Sequence, residues 1–223
     1  MTNPSGRAGV LLDVDGTLLD TNYLHALAWW QAMRDGGVTG VTMTDCHQAV
    51  GIGSEELVRR LTGADNAQVV QAHTERYDAL QDQVVAFDRA AALIEHLHDV
   101  GLPVVLATSG EKEDLAWMLP AIGVDEDLIE GATTSGDVER AKPHPDLLTT
   151  AMEQHGLDPA RTVALGDTVW DIQAAHAAGV RIVAFTTGGI AACQLAGEGA
   201  DEVWSGPADL LDHWSESILA ELT

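Results

Sequence analysis

Two aspartates two residues apart follow the first apolar run of the chain, within LLDVDGTLLD at residues 11–20. On an extended segment, side chains at positions i and i+2 point the same way, so the Asp13 and Asp15 carboxylates lie on one side. Two carboxylates this close are hard to keep ionised unless a cation neutralises one of them. Gly16 lets the backbone turn sharply behind them and brings amide hydrogens close to an anion. The stretch predicts a site for a cation and an anionic group.

Polar residues also end two later apolar runs. Thr108 and Ser109 follow VVLA, and Asp167 follows VALG, with Asp171 one helical turn later. Lys142 lies in the loop ERAKPHPD, and only one other lysine is present in the chain. A lysine beside a chemical motif is therefore less easily explained as chance surface charge. Four separate segments carry carboxylates, hydroxyls and one ammonium that could meet at one site.

The residue types indicate the chemistry of that site. An all-oxygen set made of Asp13, Asp15, Asp167 and Asp171 suits Mg²⁺, which favours carboxylates, carbonyls, water and substrate phosphate. The two hydroxyls before a helix can donate to an anion, as can the amides of the helix N-terminus. Lys142 can balance the remaining negative charge. The combination predicts binding of a phosphoryl group.

Strands must deliver these side chains, and short apolar runs predict six of them. Helical patterns separate the later runs, and strand–helix alternation of this length indicates a parallel sheet covered by helices on both faces. In such sheets ligands bind at the carboxyl ends of the strands. The predicted strands are 8–14, 102–110, 127–134, 162–167, 181–187 and 201–204.

Residues 20–86 show helical spacing and no strand pattern. Leu24, Leu27, Trp30 and Met33 recur at steps of three, two short helical pieces surround the GIG turn at 51–53, and another helix is predicted over 65–85. The expected organisation is an α/β core domain at 1–19 and 87–223, with a helical cap domain at 20–86 inserted after the first strand.

Charge and composition exclude some classes of function. The 223 residues contain 35 acidic against 11 basic side chains, which argues against a nucleic-acid or anionic-membrane surface. No apolar run approaches the length of a membrane span, and the N-terminus has no signal-peptide pattern. Cys46 and Cys193 form no CxxC pair and suggest reduced thiols. We expect a cytoplasmic protein.

The segments DVDGTLLDT, VVLATSG, AKPHPD and LGDTVWDIQAAHAAGV together resemble the four ordered motifs of the haloacid dehalogenase-like (HAD) hydrolase superfamily. More closely, the chain resembles the phosphoglycolate phosphatase and β-phosphoglucomutase-like branch. The resemblance extends over nearly the whole chain in order and spacing. It implies a Rossmann-like core and a helical cap.

The resemblance also implies roles for individual residues. Asp13 matches the nucleophile that forms an aspartyl-phosphate, and Asp15 matches the general acid/base, whose backbone carbonyl also binds the metal. Lys142 matches the cation that steadies nucleophile and phosphate.

Two further motifs supply the phosphate and metal partners. Thr108, with Ser109 beside it, matches the phosphate-binding hydroxyl. Asp167 matches the acidic metal ligand, with Asp171 as a direct or water-mediated partner. Alone, Thr108 and Ser109 would more often cap a helix, and Asp171 would favour a helix dipole.

The chain favours a phosphatase over other branches of the superfamily. Dehalogenases resemble this pattern without the second aspartate, so Asp15 argues against that activity. The membrane spans of P-type ATPases are missing, and residues 17–90 contain no lysine for the Schiff base of a phosphonate hydrolase. The predicted function is a Mg²⁺-dependent phosphatase of small phosphorylated metabolites.

Three alternatives stay open at this point. A phosphomutase of the β-phosphoglucomutase type would use the same core residues. A phospho-acceptor switch or an inactive binding protein would belong to a different class. His47, Arg59 and Arg60 are possible cap contacts to substrate, although a solvated helix face is the preferred interpretation. The sequence identifies neither the natural substrate nor the oligomeric state.

Overall fold

The computed structural model describes residues 6–223 and contains all six predicted strands. Residues 1–5, which belong to the predicted core segment 1–19, lie outside the described residues. The strands are β1 Arg7–Leu12, β2 Val104–Ala107, β3 Gly131–Thr133, β4 Leu157–Gly166, β5 Arg181–Phe185 and β6 Glu202–Trp204.

The strands form one parallel sheet in the order β3-β2-β1-β4-β5-β6, which confirms the predicted α/β class. Strand β1 lies in the middle, and its last residue, Leu12, pairs with Leu106 of β2 and Leu165 of β4. The residues that follow these three positions therefore leave the sheet at one edge. This register explains why motifs far apart in sequence can share a site.

Helices cover both faces of the sheet. Two separate apolar clusters lie on either side of β1: Val10 and Leu12 belong to one, and Leu11 belongs to the other. All three side chains are fully buried, as expected for a central parallel strand. The core helices are α5 Ala90–Asp99, α6 Leu115–Ile122, α7 Asp146–His155, α8 Val169–Ala178, α9 Ala192–Gly197 and α10 Pro207–Asp212.

Four further helices follow β1 and pack around an apolar cluster of their own. They are α1 Asn22–Asp35, α2 Met43–Ala49, α3 Ser54–Thr62 and α4 Ala67–Asp78. Helix α4 ends earlier than the predicted helix over 65–85, with only a short 3-10 turn at Gln81–Gln83 beyond it. The chain must then return to the sheet, where Val84 and Ala86 pack against the core.

The two segments that join this helical block to the sheet lie side by side. Leu19 and Ala86 form an antiparallel bridge. The Asp20 N–H donates to the Val85 carbonyl at 2.9 Å, and the Phe87 N–H donates to the Leu18 carbonyl at 2.9 Å. Entry and exit of the block are thus tied together at one point. None of the described helices has the length and apolar character needed to cross a bilayer.

Candidate active site

Lys142 and Asp13 form a buried ion pair at the edge of the sheet. The Lys142 Nζ donates to Asp13 Oδ1 at 2.6 Å and lies 2.7 Å from Asp171 Oδ1, and the lysine is only 2% exposed. An ammonium carries three protons, so a third remains for another acceptor. The structure therefore brings together three residues predicted from three different motifs.

Asp171 is held at both carboxylate oxygens. Its Oδ1 meets Lys142, while its Oδ2 accepts hydrogen bonds from the Thr168 hydroxyl at 2.5 Å and the Thr168 N–H at 3.0 Å. With Thr168 as the N-cap of α8, this is a capping box. Asp171 thus anchors the helix and orients Lys142, and its contact with a metal stays a prediction.

Asp167 is fully buried and also held at both oxygens. Oδ1 accepts from the Thr17 hydroxyl at 3.0 Å, and Oδ2 accepts from the Asn22 side-chain amide at 2.7 Å. Thr17 belongs to the turn after β1, and Asn22 is the first residue of α1. The carboxylate that follows β4 is therefore positioned by the segment that leads into the helical block.

Two glycines allow the backbone to approach Asp167. Gly16 has φ +73°, and a Cβ there would lie 2.4 Å from Asp167 Oδ2. A Cβ on Gly188 would lie 1.7 Å from the same oxygen. The Thr187 hydroxyl donates to the Gly16 carbonyl at 2.6 Å and fixes the turn. Any side chain at either position would push into the carboxylate.

The site has the donor set of a divalent cation. Among the described residues, carboxylate oxygens of Asp13, Asp167 and Asp171 all lie within 4.8 Å of one another. Burial raises the pKa of Asp13 to about 7, although Lys142 opposes the shift, and burial with the nearby acids raises the pKa of Asp167 well above its ordinary value. One ammonium for three carboxylates leaves excess negative charge, which an oxygen-preferring cation would neutralise.

Asp15 occupies a different environment from Asp13. Burial opposes its ionisation, but contacts with His25 and Thr21 lower the pKa of the carboxyl below its ordinary value. His25 Nε2 lies 3.4 Å from Asp15 Oδ1, yet this buried oxygen has no hydrogen-bond partner among the described residues. Asp15 therefore retains an acceptor atom with no partner beside the nucleophile candidate.

Thr108 and Ser109 follow β2 as predicted but face different partners. Thr108 is fully buried, and its Oγ1 accepts from the Gly110 N–H at 3.0 Å. The Ser109 hydroxyl donates to the Gly51 carbonyl at 3.1 Å, so it links the core to the helical block. The GIG turn thus lies beside the site, and the phosphate contacts of both hydroxyls stay predictions.

A cluster of aromatic rings beside Asp15 was not predicted. His73 stacks on Trp29 with centroids 3.7 Å apart, and His25 stacks on Tyr77 with centroids 3.7 Å apart. Sequence reasoning also missed Asn22. Asn22, His25 and Trp29 are spaced i, i+3 and i+7 along α1 and share one face, which is the signal that could have identified them.

The helical block also contacts the core near Gly188 and Trp170. His47 Nε2 lies 2.8 Å from the Gly188 carbonyl oxygen, and the Trp170 indole N–H donates to the Gln48 carbonyl at 3.1 Å. Arg60 lies over the Trp170 ring at 4.6 Å, while Arg59 is exposed and pairs with nearby acids. Arg59 and Arg60 are both exposed, as expected for a solvated helix face, whereas His47 is half-buried.

Known proteins resemble this chain over most of its length. It is 33% identical to phosphoglycolate phosphatase of Xylella fastidiosa, covering 81% of this chain and 82% of the relative. It is 28% identical to validoxylamine A 7'-phosphate phosphatase of Streptomyces hygroscopicus subsp. limoneus, covering 79% and 84%. The crystal structure of a hydrolase from Pseudomonas syringae superposes with a TM-score of 0.88 at 29% identity, covering 94% and 99%.

The family model for the haloacid dehalogenase-like hydrolases matches residues 8–179, which contain the four predicted motifs. The predicted membership is confirmed, and so is the likeness to phosphoglycolate phosphatases. Structures of β-phosphoglucomutases share the fold. The buried Asp13–Lys142 pair and the parallel sheet that carries it agree with this match, and the chain belongs to the haloacid dehalogenase-like hydrolase family.

Proposed function

We propose that this protein is a Mg²⁺-dependent phosphatase that hydrolyses small phosphorylated metabolites through an aspartyl-phosphate on Asp13. The observation that carries the proposal is the Lys142 ammonium, which holds Asp13 at 2.6 Å and Asp171 at 2.7 Å inside a carboxylate cluster. The relatives named as phosphatases support a phosphoric monoester hydrolase.

The first step needs a fixed, ionised nucleophile. Lys142 holds Asp13 Oδ1, which leaves the second oxygen, with a hydroxyl contact to Thr17 at 3.4 Å, as the attacking atom. Attack forms the bond from Asp13 to phosphorus and releases the alcohol oxygen of the substrate. Splitting the reaction at a covalent intermediate replaces direct attack by water with two easier steps.

Asp15 would handle the proton in both steps. Although the pKa of Asp15 is lowered in the substrate-free fold, its carboxyl would have to be protonated in the substrate complex, where it would donate to the departing alkoxide. The resulting carboxylate would take a proton from the water that hydrolyses the intermediate. The unpartnered Oδ1 leaves Asp15 free to make that contact. His25 at 3.4 Å would orient the carboxyl group.

Mg²⁺ would be held by the carboxylates of Asp13 and Asp167 and the backbone carbonyl of Asp15, with Asp171 beside them. When bound, it supplies positive charge to neutralise the carboxylates and the phosphoryl oxygens. Asn22 and Thr17 would keep Asp167 oriented toward the cation.

The phosphoryl oxygens would meet donors at the same edge of the sheet. We assign to phosphate binding the third proton of Lys142 and the Thr108 and Ser109 hydroxyls. Preorganised donors of this kind stabilise the charge that spreads over the oxygens during transfer. The Gly16 N–H, which was also predicted to approach the anion, already donates to the Leu19 carbonyl at 2.8 Å. The Ser109 hydroxyl would have to exchange its bond to the Gly51 carbonyl for one to phosphate.

Residues 20–86 would act as a cap domain that covers the site, with residues 6–19 and 87–223 as the core. The paired connections at Leu19 and Ala86 support a hinge at this point. His47 and Trp170 each contribute one core–cap hydrogen bond that is present in this structure and that a closed cap would keep. Closure excludes water while the phosphoryl group is transferred.

A cytoplasmic location is also part of the proposal. Cys46 is a buried free thiol and Cys193 an exposed one. Burial raises the pKa of the Cys46 thiol to about 11. Neither feature calls for an oxidising compartment.

The test is phosphate release from a panel of metabolite phosphates, with and without Mg²⁺. We expect wild-type turnover to require the cation and Asp13→Asn to lose it by ~10³-fold or more. Asp20→Asn is the matched control, because Asp20 is an exposed aspartate of the same motif. Circular dichroism would establish that each variant is folded.

Undiminished turnover in Asp13→Asn would contradict the mechanism. Slow phosphate release together with interconversion of sugar phosphates would instead identify the phosphomutase alternative, since that reaction must keep the aspartyl-phosphate until the sugar is rephosphorylated.

A further inference from the structure

A cavity of about 340 Å³ opens beside Asp13 and Asp15. Its walls come from α1 and α4 of the helical block, the GIG turn, and the core segment that follows β2. Asp13 and Asp15 both line this cavity, so an ester whose phosphoryl group meets Asp13 can place its leaving group here. The chemistry of this cavity therefore selects the leaving group.

One wall of the cavity is aromatic. Trp29, His73, His25 and Tyr77 line it, and their rings are stacked on one another. Burial lowers the pKa of His73 to about 2, so this imidazole is neutral at physiological pH. A positive charge on His25 would be balanced by the Asp15 carboxylate 3.4 Å away.

The opposite wall and the mouth are acidic. Asp78, Glu111, Glu113 and Asp114 line the cavity, and none of them forms a salt bridge with any described residue. No arginine or lysine is among the described residues that line this space. A second anionic group on the substrate would meet four carboxylates and no arginine or lysine here. An ammonium group would be attracted to these carboxylates, and a hydroxyl group would not be repelled by them.

The Tyr77 hydroxyl supplies an independent sign of a ligand. Tyr77 is 5% exposed and lines the cavity, yet its hydroxyl has no hydrogen-bond partner within the described chain. Buried polar atoms are nearly always hydrogen-bonded, and leaving one unpaired is destabilising. Asp15 Oδ1, in the same cavity, is unpartnered as well. Both atoms are buried in this structure, so a substrate would reach them only when the cap opens. It could then satisfy both at once, with its ester oxygen at Asp15 and a second polar group at Tyr77.

We infer that the substrate is a phosphate monoester whose leaving group carries hydroxyl or ammonium groups and no second anion, and that the Tyr77 hydroxyl binds one of these groups. This inference rests on the proposed phosphatase function and names its class of substrate. It excludes bisphosphates and phosphorylated carboxylic acids as preferred substrates of this chain.

The first experiment measures binding without turnover. Three two-carbon esters differ only in the terminal group: phosphoglycolate has a carboxylate, 2-hydroxyethyl phosphate a hydroxyl and phosphoethanolamine an ammonium. Calorimetric titration of each into Asp13→Asn with Mg²⁺ should give ~tenfold or greater preference for the hydroxyl and ammonium esters over the carboxylate.

Equal or tighter binding of phosphoglycolate would overturn the inference, and so would failure of all three esters to bind. Because the binding experiment needs no catalysis, its result is separate from the failure of the proposed function, which shows as missing Mg²⁺-dependent phosphate release in the wild type.

The second experiment tests whether the Tyr77 hydroxyl binds the substrate, by comparing variants of the two tyrosines of the chain. The wild type should prefer 2-hydroxyethyl phosphate to ethyl phosphate, which lacks the hydroxyl, by ~five- to tenfold in kcat/KM. Tyr77→Phe keeps the ring and should abolish that preference. Tyr23→Phe is the control, because Tyr23 is 59% exposed and stacks on His47 outside the cavity.

A preference retained in Tyr77→Phe would overturn the assignment of the hydroxyl. The ratio of the kcat/KM values for the two esters distinguishes a purely structural role of Tyr77, because a loss of packing would lower kcat/KM for both esters equally.

Discussion

The two halves of the active-site cleft differ in how far their polar groups are already paired. On the core side, Asp13, Asp167 and Asp171 are held by the side chains of Lys142 and Asn22 and by threonine hydroxyls. On the side of the cavity, which the helical block and the core segment after β2 form together and which we call the cap side, Asp15 Oδ1 and the Tyr77 hydroxyl have no hydrogen-bond partner in the described chain. Four acids that line this cavity form no ion pair there.

This difference separates two tasks. The phosphoryl group is the same in every phosphate ester, so the groups that transfer it can be fixed in advance, and preorganisation is what makes them effective. The leaving group differs between substrates, and the cap side is complete only when a suitable one binds. Chemistry is therefore built into the core, and selection is left to the cavity.

The largest expected effect comes from removing the core-side cation. Lys142→Met leaves Asp13 and Asp171 buried without their shared partner, which costs about 3–5 kcal/mol of folding stability. We also expect turnover to fall ~10²- to 10³-fold, as when one fixed stabilising donor is lost. Chemical unfolding and kinetics on the same preparation would measure both. Lys112→Met is the matched control because Lys112, the other lysine, is exposed.

If Lys142→Met is as stable and active as the control, the core side is not organised around this ammonium. Adding 10 mM Mg²⁺ to the unfolding experiment would show whether the cation restores part of the lost stability.

Asp15→Asn should separate the two steps of catalysis. Protonation by Asp15 matters for an alkoxide leaving group, so phosphoenzyme formation from an alkyl phosphate should slow ~10²- to 10⁴-fold. p-Nitrophenolate leaves without protonation, so the variant should release a burst of about one nitrophenol per enzyme from p-nitrophenyl phosphate and then stall. Stopped-flow absorbance measures the burst. Absence of the burst with a folded variant would assign Asp15 to the first step for every leaving group.

Asn22→Ala should weaken the metal site while leaving the fold intact. The Asn22 amide donates to Asp167 Oδ2 at 2.7 Å, and loss of such an orienting contact lowers metal affinity ~tenfold or more. Mg²⁺ dependence of turnover would give the apparent affinity. The control is Asn66→Ala, which removes the N-cap of α4 and should reduce stability without changing Mg²⁺ affinity. A similar loss of Mg²⁺ affinity in both variants would mean that Asn22 acts only through packing.

Most of the core side could be predicted from the sequence because strand register fixes it. Asp13, Thr108 and Asp167 each follow an apolar run, and parallel strands bring such positions to one edge. The link between Lys142 and Asp171 could not be derived from periodicity. It depends on how the loop before α7 meets the first turn of α8, and the resemblance to known motifs paired Lys142 with Asp13 and Asp171 with the metal instead.

The cap side was harder because a helix has several polar faces. The spacing of Leu24, Leu27, Trp30 and Met33 does predict α1, but of these four side chains only Met33 is buried. The buried face also includes Ala26 and Trp29.

Tyr77 shows the same limit, since its position on α4 is visible in the sequence but its neighbours are not. Its ring meets His25 of α1, 52 positions earlier. Such a contact follows from tertiary packing alone.

The smallest effect should be stabilisation by Mg²⁺, and its size should depend on pH. Burial raises the pKa of Asp13 to about 7 and that of Asp167 well above its ordinary value. In the metal-free fold, ionising these groups is unfavourable, so each lowers stability as the pH rises above the ordinary carboxyl pKa, and Asp13 does so up to its raised pKa of about 7. Mg²⁺ competes with the protons and should therefore stabilise more at pH 8 than at pH 5.5.

At a cation concentration of ten times Kd, binding adds about 1.4 kcal/mol, or roughly 3–5 °C in Tm for a chain of this size. Differential scanning fluorimetry at both pH values would measure it, with Asp167→Asn expected to show little shift at either. Ca²⁺ serves as a comparison, because it tolerates a looser ligand shell. An equal shift at both pH values would mean that the carboxylates are already ionised without the cation, and that Lys142 alone balances the core side.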